Sequence, residues 1–138
     1  MTTVVDTNVL IDILNGTAAE IKAAENAVRV TGRPGRLLLP VVCYAELAGR
    51  FKSRRDLDSF LDIMPMKLMP LHADAGFLAG VFHHEYRRRG GTRTRVLADF
   101  IVAAQAQLGA DRLLTTDKRF FGANFPKLVA VSPADLMA

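Results

Sequence analysis

Short apolar runs alternate along the chain with longer segments whose apolar residues recur every three to four positions. Thr3-Val4-Val5 is the first run. It ends at Asp6 and predicts a buried strand. Val9, Leu10, Ile13 and Leu14 follow at helical spacing until Asn15-Gly16 stops them. An alanine-rich helix is expected over 18–30, then a turn at Gly32-Arg33-Pro34-Gly35. Arg36 to Leu39 reads as a strand closed by Pro40, which can open a helix at its first turn, here running to about Gly49. Ser53 to Met64 is amphipathic, with Leu57, Phe60, Leu61 and Met64 on one face and Arg54, Arg55, Asp58 and Asp62 largely opposite. Residues 66–71, bounded by Pro65 and Pro70, read as a strand. A long helix follows from His72 to about Arg89 and ends at Gly90-Gly91. A helix over Val96 to Leu108, ended by Gly109, strands at Arg112–Thr115 and Lys127–Val131, and a short turn at Asp135–Met137 complete the pattern.

Strands that alternate with helices from end to end predict an α/β fold whose mainly parallel sheet is covered on both faces. With 138 residues, no internal repeat and no linker-like tract, a single domain over 1–138 is expected. Cys43 is the lone cysteine, which excludes an intrachain disulfide framework or cysteine zinc site and suits an intracellular protein. The first residues lack the basic and apolar regions of a signal peptide. No apolar run approaches the roughly 20 residues of a membrane helix. A cytoplasmic protein with no membrane partner is the expectation.

The formal net charge is +4, but its distribution says more. Arg50, Lys52, Arg54 and Arg55 form one acid-free cluster and Arg87, Arg88, Arg89, Arg93 and Arg95 another, together nine of the 18 basic residues. Such clusters suit a polyanion, because neutralised phosphates release counterions. A solvated basic face is the plainer alternative.

Four acids stand out. In open parallel sheets, ligands bind beyond the carboxyl ends of the strands. Asp6 directly follows the first strand and Asp117 lies two residues past Thr115, so both are expected on that edge. Each could instead cap a helix or shape a turn. Asp99 interrupts Val96-Leu97-Ala98-Asp99-Phe100-Ile101-Val102, apolar on every side, which predicts a buried helix and a carboxylate that needs a cation or a dipole. Glu46 sits in the similarly apolar 41–48 segment, with Arg50 at i+4 as an ordinary partner. Taken together, four acids in one dry pocket would repel and raise one another's pKa values, whereas a divalent cation favours all of them ionised. An oxygen-only donor set points to Mg²⁺, with Mn²⁺ as a substitute, rather than zinc.

These residues resemble those of PIN-domain nucleases, specifically VapC-type toxins of toxin–antitoxin pairs. Val4-Val5-Asp6-Thr7-Asn8 resembles the opening strand and first acid, and Tyr44-Ala45-Glu46-Leu47 the helix carrying the second. Leu97-Ala98-Asp99-Phe100-Ile101-Val102-Ala103-Ala104 resembles the helix of the third, and Leu113-Leu114-Thr115-Thr116-Asp117-Lys118-Arg119-Phe120 the final strand-to-turn motif. The resemblance covers nearly the whole chain. It implies a three-layer α/β/α sandwich, endonucleolytic RNA cleavage, a homodimer and a cognate antitoxin, with operator DNA recognised mostly through the antitoxin. Two features depart from the family pattern: no second carboxylate stands near Asp99, and Thr92-Arg93-Thr94-Arg95 is unusually basic.

On this reading Asp6, Asp99 and Asp117 are direct or water-mediated metal ligands, and Glu46 completes the site or orients the attacking water. Asn8 and Thr115 or Thr116 are candidate donors that hold the carboxylates in place. Arg50, Lys52, Arg54, Arg87, Arg88, Arg93 and Arg95 are candidate RNA-backbone contacts. A phosphoacceptor receiver domain would need an acid after the third strand, where the chain reads Pro70-Leu71-His72. Neither GxxxxGK[ST] nor GxGxxG is present, which disfavours a nucleotide-binding enzyme. A non-catalytic RNA- or partner-binding module on the same fold is the remaining alternative.

Overall fold

A computed structural model describes residues 1–94 and 96–137. Its centre is a five-stranded, all-parallel sheet of β1 (Thr2–Val5), β2 (Arg36–Pro40), β3 (Lys67–Met69), β4 (Arg112–Leu114) and β5 (Ala130–Val131), in the order β3-β2-β1-β4-β5. β1 lies in the middle, with Val4 paired to Leu38 on one side and to Leu113 on the other. Val4, Val5, Leu39, Leu113 and Leu114 have no exposed surface. Continuous apolar runs in the central strands are what a sheet covered on both faces requires.

Seven α-helices connect the strands among the described residues: α1 (Thr7–Asn15), α2 (Ala18–Gly32), α3 (Val41–Ala48), α4 (Arg54–Ile63), α5 (Ala73–Arg88), α6 (Leu97–Gly109) and α7 (Lys118–Asn124). α1 packs on α2 and α5 on α6. From β1 the chain steps outward to β2 and β3, then crosses back to β4 and β5. Right-handed crossovers therefore put α1–α4 on one face and α5–α7 on the other, giving an α/β/α sandwich. The direction of winding reverses between β1 and β4, so the crevice at their carboxyl ends is the topological switch point where such folds bind ligands.

Local chemistry sets the helix boundaries. Thr17 and Glu20 form a reciprocal capping box at the start of α2, and the Ser53 hydroxyl accepts from Asp56 N–H at the start of α4. Gly90 follows α5 at φ +85°, a conformation that side chains disfavour. Gly91 lies directly against the Tyr86 ring, where a Cβ would collide with it. The turn after α5 thus folds back over Tyr86. Beneath it, Phe100 and Phe125 have no exposed surface, with ring centroids 5.4 Å apart, and Phe100 meets Phe120 edge-on at 5.9 Å. This aromatic cluster ties α5, α6 and α7 together.

The pattern-based expectation differs from the structure at three places. Lys118–Asn124 is a helix that the periodicity did not predict. It is held by burial of Phe120 and Phe121 rather than by an amphipathic repeat. The strand expected over Lys127–Val131 is confined to Ala130–Val131, and the one over 66–71 to Lys67–Met69. Both are edge strands, where only one neighbour supplies ladder bonds. No helix of the described residues is long and apolar enough to cross a membrane.

Candidate active site

Asp6 leaves the end of β1, and its backbone N–H bonds Leu114 O at 2.9 Å, tying it to β4. Asp117 lies just past the end of β4. Asp6 and Asp117 occupy the N-cap positions of α1 and α7, but neither side chain makes a capping hydrogen bond. The carboxylates are thus not accounted for as caps. Asp99 is in the first turn of α6 and Glu46 lies in α3, a helix that packs against both α1 and α6. The four acids are linked electrostatically around the ends of β1 and β4. Asp6 is under the influence of the charges of Asp99 and Glu46, and Asp99 under those of Glu46 and Asp117.

Hydroxyl groups organise the crevice. Thr115 Oγ1 donates to Asp6 Oδ2 at 2.9 Å and accepts from Asp117 N–H at 3.0 Å and from Asn8 Nδ2 at 3.4 Å. Its one donor and two acceptor sites are all used. Asn8 Oδ1 in turn accepts from Thr116 N–H at 3.1 Å, so Thr116 contributes its backbone to this network. Thr7 Oγ1 donates to Glu46 Oε1 at 2.7 Å. Thr7 escaped the sequence reading; its only signal was a hydroxyl immediately after Asp6 at the start of a helix.

Burial pushes the Asp6 carboxyl up to about 7. The Thr115 bond works against this, and the charge of Asp99 adds to it. Burial likewise raises Asp99 to about 6, helped by the charges of Glu46 and Asp117 and opposed by Arg93. Cys43, buried beneath Thr7, is driven up to about 12, chiefly by desolvation. Its thiol stays neutral.

Two expectations need correction. Glu46 is exposed rather than buried, because only Cys43 and Leu47 carry the buried side of α3 and Glu46 lies at its solvent-accessible edge. Its described partner is Thr7, not Arg50. The helix carrying Asp99 is buried all round from Val102 to Ala106, as its apolar sequence predicts, but its first turn is open: Leu97 is exposed and Asp99 is half-buried.

The basic candidates also find partners. Arg93 Nη1 bonds Asp117 Oδ2 at 2.7 Å, Arg54 pairs with Asp58 at 3.6 Å, and Arg88 with Glu85 at 2.7 Å. Arg50, Lys52, Arg54, Arg87 and Arg88 are all exposed. Arg95 lies outside the described residues.

The donor chemistry suits a hard divalent cation: four carboxylates, two of them raised by burial and mutual charge. Among the described residues, no three His, Cys, Asp or Glu side chains are close enough to share one ion directly. Asp117 is turned toward Arg93 and Glu46 toward Thr7. A hard divalent cation here would be held by one or two carboxylates directly and by the others through water.

Known structures share the fold. VapBC2 from Rickettsia felis bound to a DNA fragment from their promoter aligns with TM-score 0.73 and 20% identity, over 96% of this chain and 98% of that one. VapBC-1 from nontypeable Haemophilus influenzae aligns with TM-score 0.73 and 20% identity, over 97% and 99%. A toxin–antitoxin complex from Klebsiella pneumoniae aligns with TM-score 0.69 and 22% identity, over 95% and 97%. No curated protein matches the chain. The PIN domain family model matches residues 3–125, from β1 through α7 to Phe125 and so across all four acids. The chain therefore belongs to the PIN domain family.

Proposed function

We propose that this protein is a divalent-metal-dependent endoribonuclease and the toxin of a toxin–antitoxin pair. The reading rests on Asp6, Glu46, Asp99 and Asp117 influencing one another's charge around the β1–β4 switch point, with Asp6 and Asp99 raised to about 7 and about 6. Stability alone gives no reason to gather four acids there.

Asp6 and Asp99 would hold Mg²⁺ or Mn²⁺, with Asp117 joining directly or through water. Such an ion, when bound, neutralises charge on the phosphate and acidifies water. The chain's own groups do the positioning. Thr115 fixes Asp6 through Oδ2. Thr7 fixes Glu46 through Oε1, and no described residue bonds Oε2, which is therefore the atom available to orient the attacking water and take its proton. The water oxygen joins phosphorus, one P–O ester bond breaks, and the departing oxygen leaves with a proton. Exposed Arg87, Arg88, Arg50 and Lys52 are suited to holding the RNA backbone without reading its sequence.

The structural neighbours are complexes with antitoxins, some with DNA, which supports a cognate antitoxin as partner and operator DNA contacted through it. A groove of about 520 Å³ between α1, α2 and α4, lined by Ile13, Val28, Phe60, Ile63 and Met64, offers an apolar seat for such a partner. Phe77 and Val81, exposed one turn apart on α5, suit a homodimer contact.

The test is cleavage of a mixed-sequence RNA by purified protein with Mg²⁺ or Mn²⁺, with EDTA, and with Asp99→Asn. Metal-dependent cleavage that the substitution abolishes supports the proposal. Full-rate cleavage by Asp99→Asn contradicts the site assignment. RNA binding without cleavage under every condition would instead identify a non-catalytic module.

A further inference from the structure

Among the described members of the basic clusters, Arg93 is the one that pairs with an acid of the candidate site. Three contacts aim it there. Its backbone N–H bonds Tyr86 Oη at 2.9 Å, made possible by the Gly90-Gly91 turn that folds over the Tyr86 ring. Its guanidinium lies 4.3 Å from the centroid of Phe120, a cation–π distance. Its Nη1 bonds Asp117 Oδ2 at 2.7 Å, and its charge also reaches Asp99. Asp6 and Glu46, by contrast, have hydroxyl partners and no described ion pair.

We propose that Arg93 is a built-in counter-ion that competes with the divalent metal for Asp117 and thereby sets the metal affinity of the site. The proposal rests on the carboxylates being a metal site. While the guanidinium holds Oδ2, that oxygen cannot serve a metal or its water shell. Full engagement of Asp117 by the metal therefore competes with the ion pair, and the apparent affinity falls with the fraction of molecules in which the pair is closed. The site then fills only when free metal outcompetes the arginine. The stack on Phe120 and the Tyr86 bond keep the displaced side chain at the mouth of the crevice, ready to re-form the pair when metal leaves. Arg93 is a positioning residue on this account, acting through Asp117. It also gives the unusually basic 92–95 stretch a role distinct from grip on RNA.

The test is calorimetric titration of Mn²⁺ into wild type, Arg93→Gln, Arg93→Lys, Arg87→Gln and Asp6→Asn. Arg93→Gln is expected to bind Mn²⁺ about two- to fivefold more tightly, since a half-exposed pair is worth at most about a factor of this size. Arg93→Lys should fall between it and wild type, and Arg87→Gln should match wild type. Thermal unfolding supplies the second readout. Arg93→Gln should melt below wild type in EDTA, and the gap should narrow or reverse in Mn²⁺. If Arg93→Gln binds Mn²⁺ no more tightly than wild type, or loses the same stability in both buffers, Arg93 is a structural contact and the proposal fails, while Asp6→Asn losing Mn²⁺ would leave the metal-site reading standing. If Asp6→Asn binds Mn²⁺ as wild type does, the metal-site reading itself fails.

Discussion

Thr115 and Asp6, 109 positions apart in sequence, meet across the β1–β4 junction through a 2.9 Å hydrogen bond from Oγ1 to Oδ2. The hydroxyl is completely buried and Asp6 is 4% exposed, so neither has ready recourse to solvent. Thr115→Val keeps the shape and removes the donor. It should weaken Mn²⁺ binding and slow RNA cleavage about 10- to 100-fold, the usual effect of losing a partner that orients a metal ligand. Titration calorimetry and initial cleavage rates check this. Thr115→Ser should recover most of both.

Asp6 also makes a prediction about pH. Its carboxyl is raised from 3.8 to about 7 in the metal-free fold. A raised folded-state value means that the native state binds the extra proton, so the stabilisation is complete below about pH 4 and is lost as pH rises through about 7. Metal-free wild type should therefore lose stability across that window relative to Asp6→Asn, which cannot ionise there. At pH 8 the variant should be the more stable by about 2 kcal/mol in EDTA, a discounted figure from 1.36 kcal/mol per pKa unit. Chemical denaturation at pH 5 and pH 8 provides the comparison. Mn²⁺ should stabilise wild type and not the variant, and its binding should release protons.

Thr7 holds Glu46 at 2.7 Å on the exposed rim of the crevice. Thr7→Val frees the carboxylate, and kcat should fall about tenfold if Glu46 orients the attacking water, with little change in Mn²⁺ affinity. A drop in metal affinity equal to the drop in rate would place Glu46 among the ligands instead. The same titration and rate measurements decide between these roles.

Arg87 has no described ion-pair partner and is exposed. Arg87→Gln in an Asp99→Asn background, which cannot cleave on this account, should weaken RNA binding uniformly across sequences. The slope of log affinity against log salt should fall by about 0.7, one phosphate contact on a single strand. An unchanged slope would remove Arg87 from the RNA path.

The alternation of strand and helix, and the placement of Asp6 and Asp117 at strand ends, were legible because buried parallel strands are continuous apolar runs and any polar residue closing one is conspicuous. α7 was not legible. It has seven residues, adjacent phenylalanines and an internal Gly122, so its helicity comes from packing of Phe120 against Phe100 rather than from a repeat along the sequence. The exposure of Glu46 was hidden for a related reason: Val41, at the start of the same helix, is apolar yet 43% exposed, so the apolar composition of α3 did not signal burial. Arg93 and Asp117 are 24 positions apart and Thr7 and Glu46 are 39 apart. Pairings at such separations depend on how the sheet brings loops together, and residue composition carries no record of them.

The most direct measurement is mapping of RNA 5′ ends in cells after induction of wild type and of Asp99→Asn. Wild type should produce a set of new, discrete ends and the variant none, at equal protein levels. The same new ends from both proteins would contradict this, because cleavage would then proceed without the carboxylate at the centre of the site.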